Sequence, residues 1–384
     1  MTNMPWKTIA AIAIVFFLRV FGFMVVLPLI MHNPLLYKSS TPFLLGVAVG
    51  VYGLMQAAFN LYFGAKSDVW GRKKVIFGGL GLIVFGSFVA AASSSVYGLI
   101  LGRAIQGSGA IGSTLMATLA DIVPSEKRAQ AMACVGACIG GSFWLAIILG
   151  PILFTTIGLS NIFIMTALLG VLAAVIVYFY IPNIEPKSNI AWKNSCLEVV
   201  KTKIYYPYNT GVATLHAVFT MIMAFLPVKI VTSYAVAMQD LWYLYAGYLL
   251  VSLLLSLPLI IYAERHKKTL QVIYYGSVLI LLACLGLFVG LKGFWLLSLA
   301  VVGFFAGFTV LESLLMANIS RLANLSQRGA VMGVYSTSQF FGIFFGGFLG
   351  GVLRQKFVID SVFLLSFALL LLWVIYLLTN KTIK

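Results

Sequence analysis

Twelve stretches of about twenty or more mostly apolar residues follow one another along this 384-residue chain, at roughly 8–31, 42–65, 74–94, 97–121, 129–155, 161–181, 208–231, 241–263, 270–291, 294–320, 329–353 and 358–379. Short charged or turn-rich breaks separate them. A tilted helix needs about 20 residues to cross roughly 30 Å of hydrocarbon, so each stretch is a candidate span. The chain is 62% hydrophobic and 9% charged, against about 45–50% and 25% in soluble domains, which excludes a water-soluble globule. Lipid offers no partner to a free backbone group, leaving helices or a closed barrel. Barrel strands alternate over about ten residues, whereas these runs are continuous. The expected fold class is an all-α polytopic membrane protein of twelve helices.

The formal charge of +16 would suggest nucleic acid in a soluble protein, but its distribution argues otherwise. With the N-terminus inside, 18 of the 25 Lys and Arg fall on the cytoplasmic side, in groups such as Lys66, Arg72, Lys73 and Lys74, or Arg265, Lys267 and Lys268. Five lie opposite, at Lys38, Lys229, Lys292, Arg354 and Lys356, and Arg19 and Arg103 stand within spans. The positive-inside rule then places both termini in the cytoplasm. The expected partner is the lipid bilayer and not nucleic acid. Residues 8–31 exceed a signal-peptide core and are interrupted by Arg19, so they are expected to be a retained span. Cys134, Cys138, Cys196 and Cys284 contain no pair at metal-site spacing and are expected to pack.

The longest polar stretch, 183–207, carries Pro186, Pro207, four Lys and two Glu. It is expected to be a cytoplasmic linker between an N-terminal six-helix bundle, 1–182, and a C-terminal one, 208–384. The flanking halves echo each other. Met24-Val-Val-Leu-Pro28 recurs as Met223-Ala-Phe-Leu-Pro227, and Arg128, Met132 and Gly150 recur as Arg328, Met332 and Gly350. Two bundles of common origin, with a binding cavity between them, are the expectation.

The connection after the second span reads Gly64-Ala-Lys-Ser-Asp68-Val-Trp-Gly71-Arg72-Lys73-Lys74. Gly64 and Gly71 permit tight turns, and Arg72 presents a planar fork for a carboxylate such as Asp68. A solvated basic loop would explain the cations but not one acid set between two glycines. The segment resembles the loop signature of the major facilitator superfamily, G-x-x-x-D-x-x-G-R-[KR]. Arg103-Ala-Ile-Gln106-Gly107-Ser-Gly109 is similar to its fourth-span pattern, and Gly150-Pro151, preceded by Gly136 and Gly140, to its fifth-span antiporter motif. Arg19 through Pro28, Ile261-Tyr-Ala-Glu264 and Met332 through Gln339 resemble the YajR-type drug:proton antiporter group across all twelve spans. That group often carries a soluble C-terminal domain. Here the sequence stops at Lys384, directly after the twelfth span, so that domain is expected to be absent.

Ionisable groups inside spans are functional candidates, because each costs at least about 2.5–3.5 kcal/mol unless paired or wet. They are Arg19, Arg103, His216 and Glu312, with Asp121 near the end of its span. Glu312 is the one acid far from either surface. Burial disfavours its ionised form, which suits it to take up and release protons, although a structural acid bonded to a neighbouring helix is the plainer alternative. The resemblance implies that Arg103 stabilises the ionised acid; Arg103 could equally hold a backbone carbonyl. Asp121 could join Asp68 and Arg72 in a cluster that latches the cytoplasmic side. His216 is a possible proton carrier or a packing residue. Gly136, Gly140 and Gly150 give the fifth span a face of small residues expected to make close helix contact, with Pro151 adding a bend. Tyr52, Gln56, Gln106, Tyr335 and Gln339 are candidate cavity residues for an amphipathic or cationic molecule.

The expected function is proton-coupled secondary transport, exporting small amphipathic compounds by alternating access, by a monomer in the bacterial inner membrane. Protons and one small-molecule substrate are the expected partners, with the proton gradient in place of a cofactor. In drug antiporters paired glycines usually follow Gly-Pro, whereas Ile152, Leu153 and Phe154 follow here, so a dedicated metabolite or siderophore transporter stays open. A membrane enzyme would need an acid pair, a His-Asp dyad or a metal cluster, and the nine acids are scattered singly. A primary pump would need a phosphate-binding Lys loop. No enzymatic activity is expected.

Overall fold

The computed structural model describes residues 5–32, 36–124, 127–184, 192–289, 293–324 and 328–380. Thirteen helices account for nearly all of them: α1 (Trp6–Met24), α2 (Pro42–Trp70), α3 (Arg72–Ala92), α4 (Val96–Ser108), α5 (Gly112–Ile122), α6 (Arg128–Tyr180), α7 (Trp192–Lys201), α8 (Tyr206–Tyr234), α9 (Leu241–Arg265), α10 (Thr269–Val289), α11 (Phe294–Leu322), α12 (Arg328–Lys356) and α13 (Asp360–Thr379). Ten of the helical segments are long and apolar enough to cross a membrane. Large apolar side chains such as Leu254, Leu282, Leu299 and Leu372 stand more than half exposed on several of them, as a surface solvated by lipid requires.

These helices make twelve crossings for two local reasons. The 53 residues of α6 would measure about 80 Å if straight, far beyond one bilayer. Gly158 breaks the helix with φ 77° and ψ 166°, a conformation open to glycine, and so divides the fifth crossing from the sixth. Pro151 lies within α6, yet the break falls at Gly158 and not at the proline where a bend was expected. The fourth crossing is assembled from α4 and α5, interrupted at 109–111. Buried Asn60 of α2 holds the start of α5 beyond this interruption: its side-chain oxygen accepts the Ser113 N–H at 3.1 Å, and Ser113 Oγ donates to its carbonyl at 2.5 Å. The first crossing also loosens early. α1 stops at Met24 and turns continue to 32, because Pro28 supplies no N–H and its ring disfavours the preceding turn.

The equivalences noted between the halves have structural counterparts. Arg128 and Arg328 both open a helix, and both donate from Nε to a carbonyl just upstream, Val123 O at 3.2 Å and Ser320 O at 3.1 Å. Gly150 packs on the chain after α1, 3.4 Å from Val25 O to an added Cβ, and Gly350 packs on Phe225 of α8.

The seam between the two sets of helices is built chiefly by α2 and α12. A Cβ added to Gly50 would come within 2.7 Å of Phe344 O, and one on Gly53 within 2.7 Å of Phe340 O, so the two backbones touch. At the start of α2, Phe43 meets Phe348 edge-on at 5.6 Å and donates its N–H to Gln355 Oε1 at 3.2 Å. Farther along, Gly333 approaches Leu61. Within the second half, buried Lys229 of α8 pairs with Asp360 at the start of α13 and donates to Leu287 O at 2.7 Å.

Candidate functional site

The interior of the first half holds two guanidinium groups joined by neutral dipoles. Arg103 of α4 is completely buried. Its Nη1 donates to Gln106 Oε1 at 2.6 Å, its Nε to Ala48 O at 3.4 Å, and its charge lies 4.6 Å from the centre of the Tyr52 ring and 5.5 Å from that of Phe23. Gln106 donates onward to Ser87 Oγ at 2.9 Å. Arg19 of α1 donates to Gln56 Oε1 at 2.6 Å, and Gln56 donates to the Tyr52 hydroxyl at 3.2 Å. Glycines let these helices approach: a Cβ on Gly107 would meet Tyr52 O at 2.5 Å, and one on Gly86 would meet Gly102 O at 2.7 Å. In the connection before α2, burial pushes the Tyr37 hydroxyl up to about 12, while the charge of Arg103 pulls it down.

The second half holds a partly buried acid instead. Glu312 of α11 accepts at Oε1 from Gln339 Nε2 of α12, at 3.1 Å. The same amide nitrogen lies 2.7 Å from His216 Nε2 of α8, and His216 Nδ1 lies 3.1 Å from Val212 O. The amide has two N–H groups, one for each acceptor, so His216 Nε2 accepts and Nδ1–H donates to Val212 O. That assigns a neutral imidazole with its proton on Nδ1. Glu312 Oε2 is buried, has no hydrogen-bond partner and lies 3.8 Å from His216 Nδ1. Phe219, Phe308 and Phe143 close around this group: Phe219 and Phe308 are 4.7 Å apart, Phe143 and Phe219 5.1 Å, and His216 and Phe308 5.7 Å. Phe143 comes from α6, so the aromatic group spans both halves.

The sequence-predicted residues thus divide. Glu312, His216 and Gln339 come together, and Gln339 is a bridge between ionisable groups and not merely a cavity wall. Tyr335, also on α12, is buried with its hydroxyl unpartnered. Arg103 stands with Tyr52, Gln106 and Phe23 and is not among the bonded partners of Glu312, so the expected contact between Arg103 and the acid is not made in this structure. Arg19 and Gln56 likewise belong to the first-half group.

A third cluster closes one end of the first half. Arg72 opens α3 and reaches Asp68 of α2 at 2.5 Å, Ser67 Oγ at 2.5 Å and Asp121 of α5 at 3.0 Å. Gly71 reverses the chain between α2 and α3 with φ 93°, and Gly64 brings α2 within 2.9 Å of Ser113 Oγ, measured from an added Cβ. These bonds tie α2, α3 and α5 of the first half together and thereby fix the end of the helix that forms the seam with α12. Ser67 was not anticipated; a small polar residue next to Asp68 was its only signal.

The small-residue face of the fifth span needs correction. Gly136 and Gly140 are exposed, and an added Cβ at either would meet nothing within 4 Å. The close contact expected there is not made, because the neighbouring helices approach α6 elsewhere; Gly150 and Pro151 are the buried members of that face.

Comparison with known proteins agrees with this architecture. The family model of the Major Facilitator Superfamily matches residues 9–205 and 209–383. The chain is 36% identical over 364 residues to the inner membrane transport protein YajR of Escherichia coli (strain K12), covering 94% of this chain and 80% of that protein. Over 150 residues, 38% of this chain and 36% of the relative, it is 30% identical to the class E tetracycline resistance protein of Escherichia coli. Among solved structures, a D-xylose-proton symporter superposes with a TM-score of 0.78 over 99% of both chains at 10% identity, a likeness of fold. The chain therefore belongs to the major facilitator superfamily, and it is a membrane transporter and not an enzyme.

Proposed function

We propose that this transporter is a proton-coupled antiporter of the inner membrane, exporting small amphipathic compounds by alternating access, as a monomer with both termini in the cytoplasm. The observation that carries this reading is the Glu312–Gln339–His216 group, a half-buried carboxylate held by an amide beside a neutral imidazole. Opening of the surrounding helices would expose Glu312 Oε2, which has no hydrogen-bond partner here, to protons from one side of the membrane at a time. Phe143, Phe219 and Phe308 offer aromatic faces beside the acid, so an amphipathic substrate seated there competes with the proton for Glu312 Oε2. Competition for one group is sufficient to couple two fluxes in opposite directions.

The two bundles, 1–182 and 208–384, would rock about the α2–α12 seam, whose glycines allow backbones to slide without side chains catching. The Asp68–Arg72–Asp121 cluster would keep the cytoplasmic end of α2 in register during that motion. Export is supported by the likeness to a tetracycline resistance protein, and the inner membrane by that to YajR. The test is uptake of a fluorescent amphipath into proteoliposomes under an imposed pH gradient. Glu312→Gln is expected to reduce gradient-driven transport to the level of protein-free vesicles while substrate binding persists; undiminished transport by this variant would overturn the proposal.

A further inference from the structure

One amide nitrogen serves two acceptors inside the second half. Gln339 Nε2 lies 3.1 Å from Glu312 Oε1 and 2.7 Å from His216 Nε2. An amide carries both of its N–H groups on nitrogen and none on oxygen, so the two bonds coexist only while each partner offers a lone pair at that place. His216 meets the condition as the Nδ1–H tautomer, its other nitrogen facing the Val212 carbonyl at 3.1 Å. Glu312 meets it when ionised, and equally with a proton on Oε2, which has no hydrogen-bond partner.

A second proton on His216 breaks this arrangement. It would sit on Nε2 and point at the amide nitrogen, donor against donor. Turning the amide to present its oxygen relieves that contact and creates another, because the same turn sets Gln339 Oε1 against Glu312 Oε1 across the 3.1 Å that a bond now spans. Only a proton on Glu312 Oε1, donated to the turned amide, satisfies all three groups. The imidazolium is therefore accommodated beside a protonated Glu312 and not beside an ionised one. Charge alone argues the reverse, since His216 Nδ1 and Glu312 Oε2 are 3.8 Å apart and opposite charges at that distance attract. Burial decides between them: His216 is buried, so water does not replace the bond lost at Nε2.

The surrounding helices bring no charge that changes this balance. Tyr335 of α12 feels the charge of Glu312, but a phenol titrates well above an imidazole. Lys229, about 20 Å farther along α8, pairs with Asp360 of α13. On α9, Tyr245 and Tyr248 lie against each other, Cys284 of α10 is buried, and α6 presents Phe143. Arg19 and Arg103 are bonded to the glutamines of the first half.

We propose that Gln339 imposes an order on the protons of this site: Glu312 takes the first from solvent, and His216 accepts a second only after it. Gln339 is a positioning residue in this scheme and acts through its amide. The order excludes an internal ion pair, which would hold the acid charged while a proton sat on the imidazole. Its significance for transport rests on the proton-coupling reading above, whereas the order itself is a property of three side chains.

The test follows both groups by NMR in purified full-length protein in detergent, isotope-labelled at histidine nitrogen and glutamate carboxyl carbon, through a pH titration. The signals are assigned as those lost in His216→Phe and in Glu312→Gln. In the parent, the Nδ1–H imidazole should persist on acidification until the Glu312 carboxylate has become the acid. At a pH where the parent holds neutral His216 and ionised Glu312, Gln339→Leu should show the imidazolium. Glu312→Gln, whose carboxamide can donate to a turned Gln339, should also show more of it than the parent. Removing a negative charge would by electrostatics alone give less, so the sign of this change separates the two accounts. Imidazolium in the parent beside an ionised Glu312, or no gain of it in a folded variant, overturns the proposal. Should Gln339→Leu fail to fold, judged by size exclusion, Glu312→Gln carries the comparison. The measurement needs neither substrate nor gradient. Loss of transport in Glu312→Gln without this proton order sinks the present inference alone, and the order with undiminished transport sinks the coupling reading alone.

Discussion

The first six crossings and the last six share a chain path but join different ionisable groups to their glutamines. In the first, Arg19 and Arg103 are held by glutamines and aromatic rings; in the second, Glu312 is held by Gln339 beside a neutral His216. A guanidinium cannot change its charge at physiological pH, whereas a carboxylate beside an imidazole can. On the proposed reading, the second half would carry the coupling and the first would leave it unchanged. Glycines bring backbones together in both halves, α2, α3 and α4 in the first and α8 and α12 in the second, while aromatic side chains fill the space around Glu312.

The largest effect that would test this contrast is expected at Arg72, which joins three helices of the first half. Arg72→Ala leaves Asp68 and Asp121 facing each other and should cost about 3 kcal/mol of stability, read as a lowered unfolding midpoint with no change in the pH dependence of transport. A pH dependence that moved instead would place this cluster in the proton path. Next, Gly107→Ala forces a methyl against the Tyr52 carbonyl and should cost about 1–3 kcal/mol. The same assay detects it, and a neutral result would mean that α2 and α4 separate readily.

In the second half, Gln339→Leu removes the amide that joins Glu312 to His216 and should cost about 1 kcal/mol of stability, read as a lowered unfolding midpoint. An unmoved midpoint would show that the bridge adds nothing to the fold. The smallest effect is expected at Gly140, where an added methyl meets open space. Gly140→Ala should lie within about 0.5 kcal/mol of the parent, and a severe loss of transport would reveal a contact made only in another conformation.

Much of the fold was legible in the amino-acid order. The twelve apolar runs coincide with the crossings, the polar stretch at 183–207 falls between α6 and α8, and Arg128 and Arg328 open equivalent helices. Lipid imposes this transparency, since any run that can cross must be helical. Breaks within a crossing were less visible. The end of α1 before Pro28 follows from the proline, but nothing local to 109–111 announces that Asn60, some fifty residues earlier, ties the start of α5 to α2. The linker helix α7 was also missed, because a polar segment of ten residues forms a helix through packing more than through propensity.

The site was legible as a set of unusual residues and not as an arrangement. Glu312, His216, Arg103 and Arg19 stood out because charge is rare in an apolar run. Which of them meet was not predictable: Arg103 resembles a motif that implied contact with the acid, yet its helix faces Tyr52 and Phe23. Gly136 and Gly140 carried the small-residue spacing of a tight interface and face open space instead. Spacing fixes which residues share a helix face, but the neighbour opposite that face is chosen by every other helix at once.

By itself, then, the order of amino acids determined the medium, the number of crossings and the list of ionisable groups placed inside them, since hydration energies act residue by residue and need no partner to be felt. The tertiary structure decided the pairings: that Gln339 joins Glu312 to His216, that Arg72 gathers Asp68 and Asp121, and that Arg19 and Arg103 find only dipoles. Those outcomes depend on distances between helices far apart in the chain, and electrostatic and hydrogen-bond energies change over fractions of an ångström.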